Sequence, residues 1–176
     1  MLIREAREGD FEAVAAILNH FIQHTAIHFA YEPEPAAELR EQWSSHRATY
    51  PFLVAEMDGE IVGLAKAGAW RARAAYTWTP ECGVYVRGDQ QRRGAGRALY
   101  GRLLDILRAQ GFHSAMAGIA LPNDPSVRLH EALGFVAVGR VPRAGWKHGK
   151  WHDLGLWQKD LADPAAVPAE LRPPVY

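Results

Sequence analysis

The segment from Val84 to Leu99 restricts the fold of this chain more than any other part of the sequence. β-Branched and aromatic residues at 84–86 predict a strand, and a glycine-containing loop then leads directly into an amphipathic helix. The first N–H groups of a helix have no partner within it, and the helix dipole places partial positive charge there. Gly94 and Gly96 allow the backbone to approach an anion closely. The segment therefore predicts an α/β domain with a phosphate or pyrophosphate site at this helix start.

The spacing of this loop separates several families of phosphate-binding protein. A P-loop requires Lys followed by Ser or Thr at the helix start, and a dinucleotide fingerprint requires a third glycine and a distant acid. Neither pattern is present, whereas Arg92, Arg93 and Arg97 add positive charge to the loop. On these residues alone, glycines that serve only close packing remain an alternative interpretation.

Length and charge limit the other possibilities. A chain of 176 residues is long enough to form the core of one domain without disulfides. The 20 Lys and Arg balance the 20 Asp and Glu, so no net attraction draws the chain to nucleic acid or to membranes. The single Cys82 cannot form an intrachain disulfide, which fits a reducing compartment. Without a signal-peptide pattern, an apolar run of about 20 residues or a metal-ligand cluster, we expect a cytoplasmic protein without bound metal.

Hydrophobic periodicity and turn residues predict the order of the elements. Helices are expected after a cap at Asp10 and after Pro35. Asp58-Gly59 separates two apolar strands and tolerates the positive φ of a type I′ turn. A third helix is expected from Gly94 to Gly111, and the segment 70–80 is expected to be a loop or a strand edge. Further strands are expected at 82–87, 114–121, 135–141 and 151–161, with a short helix that ends at Gly134.

Two segments carry a resemblance to a known family. Gln91, Gly94 and Gly96 resemble the Q/R-x-x-G-x-G/A signature of the GNAT acetyltransferases, and 123–135 resembles the second cofactor-side segment of that superfamily. Within it, the stretches 76–86, 121–135 and 147–153 are similar to the phosphinothricin N-acetyltransferase group, which includes enzymes for methionine sulfoximine and sulfone.

The resemblance implies a GNAT fold over residues 1–162, with a mixed central β-sheet of six to seven strands flanked by helices, and a Pro-rich tail at 163–176. It further implies acetyl-CoA as co-substrate, a small-molecule amine as acceptor, and a homodimer. The residues that it assigns to acetyl-CoA are Val84, Tyr85, Val86, Gln91, Arg92, Arg93, Gly94, Ala95, Gly96, Arg97, Asn123 and Ser126.

Catalytic roles follow from the same resemblance and from chemical need. An α-amine is mostly protonated at pH 7, so a carboxylate must take its proton before it attacks a thioester, and Glu81 matches the family's base. His130 stands where many members have Tyr, and either protonates the leaving thiolate or hydrogen-bonds a neighbour in the core. Cys82 suggests covalent catalysis, but the family transfers the acetyl group directly, so we expect a small apolar side chain there.

The acceptor pocket is less defined by the sequence. Arg71 and Arg73 match basic positions of the group, and on an extended segment both would point to one side, where they could bind a carboxylate and an S=O or P=O group. Four further residues are expected near the acceptor: Phe29, Trp70, Tyr76 and Cys82. Trp70 and Tyr76 could form a wall around the acceptor side chain, with core packing as the alternative. Trp78 is a further aromatic candidate for the same wall.

Two other functions remain open at this stage. Acetylation of protein N-termini or polyamines would favour an acidic, open groove, against which the Arg-rich segment 70–73 argues. A CoA-binding sensor domain without turnover would not need Glu81. The sequence thus favours N-acetylation of a small amino-acid analogue such as phosphinothricin, methionine sulfoximine or methionine sulfone.

Overall fold

The computed structural model describes residues 1–91 and 93–176, in which helices cover both faces of one sheet. The helices are α1 (Phe11–His24), α2 (Ala36–His46), α3 (Ala95–Gln110) and α4 (Asp124–Ala132). The strands are β1 (Leu2–Glu5), β2 (Phe52–Met57), β3 (Glu60–Ala69), β4 (Pro80–Val86), β5 (Ser114–Leu121), β6 (Val136–Lys147) and β7 (Lys150–Asp160). The strand order β1-β2-β3-β4-β5-β7-β6 confirms the predicted central sheet, with seven strands.

The sheet is mixed because one of its neighbouring pairs is parallel. All the other pairs are antiparallel, whereas β4 and β5 run parallel and meet in register only at Glu81 and Met116. Beyond that position the two strands do not pair, so the backbone of 82–86 on the β5 side is left without a ladder partner. The sheet therefore opens at its centre, next to Glu81.

The core has two layers, one on each face of the sheet. Alternate residues of β2 show the division, because side chains on a strand point to opposite faces. Leu53 and Ala55 pack in the cluster beneath α3, and Phe52 and Val54 pack in the cluster beneath α1 and α2.

Two local predictions depended on glycine and are confirmed. Asp58 and Gly59 have φ of 52° and 82°, as a type I′ turn requires. Gly94 and Gly111 adopt left-handed conformations at the two ends of α3, with φ of 86° and 97°.

Asp10 occupies the predicted N-cap position of α1, but its side chain makes no capping hydrogen bond to that helix. Its carboxylate accepts hydrogen bonds from the Arg4 guanidinium and the Arg7 backbone N–H, each at 2.7 Å. The Arg4 charge and these bonds hold the pKa of Asp10 low against its burial. Ion pairing with Arg4 therefore replaces the predicted cap.

The predicted end of the sixth strand at residue 141 is wrong. Strand β6 continues to Lys147 through Pro142, with a register shift between Val141 and Gly145. Proline has no N–H to donate, but an edge strand and a bulge both tolerate it, and β6 is an edge strand. His148 and Gly149, with φ of 47° and 73°, then turn the chain into β7.

The segment after β3 is not the extended arm on which the two arginines were expected to point to one side. The chain bends at Ala72 and Arg73, and a single 3-10 turn follows at Ala74–Tyr76. Trp78 lies beyond this turn, and its indole N–H donates to the Ala169 carbonyl at 2.7 Å, so the C-terminal tail lies against this part of the domain.

Candidate active site

A cavity of about 540 Å³ lies between β4, the start of α3 and the start of α4. It brings together nine of the twelve residues predicted to contact the cofactor: Val84, Tyr85, Val86, Gln91, Gly94, Gly96, Arg97, Asn123 and Ser126. Ala95 and Arg93 do not line this cavity. Ala95 is buried, and the Arg93 guanidinium donates to the Gln90 side chain at 3.2 Å. Arg92 lies outside the described residues.

The geometry of the α3 start fits an anionic group. The Ala98 N–H is the first to bond within the helix, to the Gly94 carbonyl at 3.0 Å, which leaves the N–H groups of 95–97 without a backbone partner in the described chain. A Cβ added to Gly96 would lie 3.5 Å from Val86 and 3.6 Å from Leu129, both on the cavity wall. The three N–H groups and the side chain of Arg97 are donors suited to a pyrophosphate.

A narrow slot leads from this cavity into the opened sheet. It has a volume of about 40 Å³ and lies between residues 82–85 of β4 and 118–120 of β5, where the two strands do not pair. Asn123 and Ser126 belong to both the slot and the larger cavity. The slot offers strand backbone, with its N–H and C=O groups, to an extended ligand.

A second cavity, of about 340 Å³, lies on the other side of the slot between α2, β3 and β4. Cys82, Gly83, Tyr85 and Gly118 line both this cavity and the slot, so the two adjoin each other. Glu81 lies on the cavity wall and is exposed, so a ligand there can reach it. Although the residue is exposed, the neighbouring protein groups partly desolvate its carboxyl and raise the pKa of Glu81, while the positive charge of Lys66 acts in the opposite direction.

Two chambers joined at a gap between parallel strands, with an anion site in one and a carboxylate in the other, suit a transfer between two substrates. The sequence comparisons identify the family. The acetyltransferase (GNAT) domain model matches residues 3–156. The chain belongs to the GNAT acetyltransferase family.

Individual GNAT relatives resemble this chain over nearly its whole length. A phosphinothricin N-acetyltransferase of Streptomyces viridochromogenes is 49% identical over 97% of this chain and 93% of its own. An L-methionine sulfoximine/L-methionine sulfone acetyltransferase of Salmonella typhimurium is 38% identical over 96% of this chain and 99% of its own. The crystal structure of a GNAT phosphinothricin acetyltransferase from Sinorhizobium meliloti in complex with acetyl-CoA superposes with a TM-score of 0.92, at 30% identity over 96% of this chain and 93% of that one. The predicted family and enzyme class are confirmed.

Gly118 is a site residue of this GNAT domain that the sequence did not indicate. A Cβ at this position would lie 3.2 Å from Glu81 Oε1 and 3.3 Å from Leu154 Cδ1. Glycine therefore makes the room in which the carboxylate lies. The contact joins β5 to β4 across the sheet, and no local sequence pattern marks it.

Cys82 has a different environment from its neighbour Glu81. Successive strand side chains point to opposite faces, and the Cys82 side chain packs in the core beneath α3. Burial raises the pKa of its thiol, so the thiolate that covalent catalysis needs is disfavoured. Cys82 lines the cavity and the slot, but its side chain packs in the core.

His130 uses both of its ring nitrogens inside the domain. Nδ1 lies 2.7 Å from the Ser126 carbonyl and therefore donates to it, and Nε2 lies 3.1 Å from the Tyr100 hydroxyl. With Nδ1 protonated, the neutral ring accepts the Tyr100 proton at Nε2. Burial lowers the pKa of His130, which favours this neutral form.

Lys147 is a second residue that the sequence reasoning missed. Its ammonium group is buried and donates to the carbonyls of Ile22, His28 and Ala30 at 2.5, 2.6 and 2.7 Å. These bonds fix the loop after α1, whose Ile27 lines the cofactor-side cavity and whose Phe29 packs against Gly145 of β6. Phe29 is not on the wall of the Glu81 cavity.

The aromatic and arginine residues after β3 form a cluster of their own. The Arg71 guanidinium lies 4.9 Å from the Trp70 ring centroid, and Trp70 meets Tyr76 edge to face at 5.2 Å. These three residues and the exposed Arg73 do not line the Glu81 cavity. Ala69, which directly precedes the cluster in the chain, does line it.

The described residues show no group of three or more His, Cys, Asp or Glu side chains arranged to hold a metal ion. In the same part of the chain no helix is long and apolar enough to cross a membrane.

Proposed function

We propose that this protein transfers the acetyl group of acetyl-CoA to the α-amine of a small zwitterionic amino acid of the phosphinothricin, methionine sulfoximine or methionine sulfone type. The observation that carries the proposal is that the slot at the splayed β4 and β5 adjoins both cavities. The names of relatives at 49% and 38% identity support this acceptor class.

The larger cavity fits acetyl-CoA by its chemistry. The α3 start supplies N–H donors and Arg97 for the pyrophosphate, and the unpaired backbone of β4 supplies N–H and C=O groups for the extended pantetheine arm. The reacting thioester would then lie between Gly83 and Gly118, where the slot meets the second cavity.

In this mechanism Glu81 acts as the general base. It accepts a proton from the acceptor ammonium, and the neutral amine then attacks the thioester carbonyl. The raised pKa makes the Glu81 carboxylate a stronger base than that of an ordinary glutamate. Unpaired strand N–H groups of β4 are suited to stabilise the oxyanion, and the leaving thiolate takes a proton from solvent or a neighbouring group.

The structure favours a positioning role for His130. Its one neutral N–H is engaged by the Ser126 carbonyl, so it holds α4 and Tyr100 in place rather than donating a proton to the thiolate.

We also propose that the protein is a homodimer in the cytoplasm. The buried thiol Cys82 suits a reducing compartment. Large apolar side chains are exposed along the β6 edge and the adjoining turn of β7, an arrangement that a second copy of the chain would cover: Val136, Val138, Val141, Trp146 and Trp151.

The function is tested by release of CoA thiol from acetyl-CoA over a panel of amines. Phosphinothricin, methionine sulfoximine and methionine sulfone should be acetylated, each with a specificity constant at least 100-fold above that of spermidine or an alanyl peptide. Turnover of a peptide N-terminus or a polyamine with failure of all three amino acids would replace this proposal by the alternative acceptors. Binding of acetyl-CoA without turnover of any amine would indicate a sensor domain.

A further inference from the structure

Lys66 is a cation in the acceptor cavity that the mechanism so far does not use. It lies on β3, lines the cavity together with Glu81, and is half-buried. Within residues 1–91 and 93–176 it forms no ion pair and no side-chain hydrogen bond. An ammonium that is partly removed from water and has no partner is unfavourable, and a ligand anion would reduce that cost.

The strand register fixes how Lys66 and Glu81 are placed. Lys66 pairs with Gly83, and Gly68 pairs with Glu81, across the antiparallel β3 and β4. Directly paired residues share a face, so the four occupy the corners of one patch on the cavity side, with the two charges on a diagonal. All four residues line the same cavity.

The two glycine corners leave the floor between the charges bare. A Cβ at Gly68 would meet nothing within 4 Å, and one at Gly83 would meet only the Tyr85 ring at 3.5 Å. A small ligand can therefore lie directly on the strand backbone between the ammonium of Lys66 and the carboxylate of Glu81. The charges of this patch match a zwitterion whose own charges are close together.

We infer that Lys66 binds the α-carboxylate of the acceptor while Glu81 receives its α-ammonium, so that this pair selects α-amino acids over amines without a carboxylate. This inference rests on the proposed function and names its recognition group. Electrostatics agree with it, since burial lowers the pKa of Lys66 while the charges of Glu34 and Glu81 raise it. A carboxylate ligand would add to the second effect and keep the lysine charged.

The same arrangement predicts that an unbranched amine or a polyamine is a poor acceptor. Such a ligand would satisfy Glu81 but leave Lys66 without a partner, and a polyamine would bring a further positive charge towards it. Discrimination of this kind arises from the unpaired group in the wrong complex.

The test compares methionine sulfone with its amide, which keeps the α-amine and the side chain and lacks the carboxylate. In Lys66→Met we expect KM for the acid to rise about 10–100-fold, as for loss of a charged hydrogen bond, and KM for the amide to stay within about twofold. Lys66→Arg should recover part of the preference for the acid. Arg40→Met, at an exposed position of α2 outside the cavity lining, also removes one positive charge, and this control should behave as wild type.

Calorimetric binding to the CoA-saturated protein separates this inference from the proposed function, because no acetyl group is then present to transfer. Tight binding of the acid over the amide by wild type, lost in Lys66→Met, supports the role of Lys66 even if no turnover occurs. Equal binding of acid and amide by wild type, or a preference that persists in folded Lys66→Met, overturns it. Absence of turnover with every amino acid would contradict only the proposed function.

Discussion

At the scale of single residues, the acceptor side of the site depends on contacts that distant parts of the chain bring together. Glu81 could be predicted from its position before a cofactor strand, because the family resemblance is local there. The role that we propose for Lys66 and the contact of Gly118 could not, because they arise from cross-strand register and from the room needed by the Glu81 carboxylate. A lysine and a glycine in apolar strands carry no pattern that marks either role.

His130 gives a prediction at this scale. We expect His130→Leu to lower the turnover rate by less than about tenfold, because the ring holds Ser126 and Tyr100 and does not supply a proton. It should lower the free energy of unfolding by about 1–3 kcal/mol, the usual effect of losing a buried hydrogen-bonded group. Urea denaturation and steady-state kinetics measure the two effects. A turnover rate that falls by two orders of magnitude or more, with unchanged stability, would instead assign His130 as the general acid.

The stability difference should itself depend on pH. Because the folded-state pKa of His130 is lowered by burial, the unfolded chain takes up a proton first as the pH falls below about 6.5. The free energy of unfolding of wild type therefore falls towards acid pH, by at most about 1.4 kcal/mol per pH unit from this group. The difference in unfolding free energy between wild type and His130→Leu narrows accordingly.

At the scale of elements, the cofactor side was predictable because it is nearly continuous in sequence. A strand, a loop and the first turn of α3 supply most of its wall. The Asp58-Gly59 turn and the two glycines at the ends of α3 were predictable for the same reason. The long β6 was not, since Pro142 is acceptable only on an edge strand, and edge position is a property of the assembled sheet.

The start of α3 offers a test of the cofactor site with its control at one position. Gly96→Ala should keep affinity for acetyl-CoA within about threefold, because the added Cβ makes only ordinary contacts at 3.5 and 3.6 Å. Gly96→Glu places a longer, negatively charged side chain in the anion site and should weaken binding by at least about 100-fold. Calorimetry measures both affinities. Equal affinity of the two folded variants for acetyl-CoA would contradict the assignment of the pyrophosphate site to this helix start.

At the scale of the whole molecule, the exposed β6 edge leads to a prediction about assembly. We expect light scattering to give twice the chain mass of 19.6 kDa for wild type. Val138→Glu should shift the protein towards monomer by placing a charge in the apolar surface, while Val167→Glu in the exposed tail should not. A monomer at all concentrations for wild type would contradict the dimer.

The whole molecule supports the proposal that few groups select the acceptor. Helix α2 and the strands β3 and β4 form much of the cavity wall. Among the described residues that line it, Glu81 and Lys66 place opposite charges on one bare patch of the floor. The arginine cluster of Arg71 and Trp70, which the sequence suggested for this role, lies beside the cavity wall rather than on it.

The central claim is that Glu81 takes the proton from the acceptor amine, and its most direct measurement is turnover of methionine sulfone by Glu81→Gln across pH 6–9. Glutamine preserves the shape of the side chain and removes its basicity. The account predicts unchanged acetyl-CoA affinity and a turnover rate reduced by about 10²–10⁴ near neutral pH, with the loss shrinking towards pH 9 as the free amine becomes more abundant. Turnover close to that of wild type across this range would contradict it.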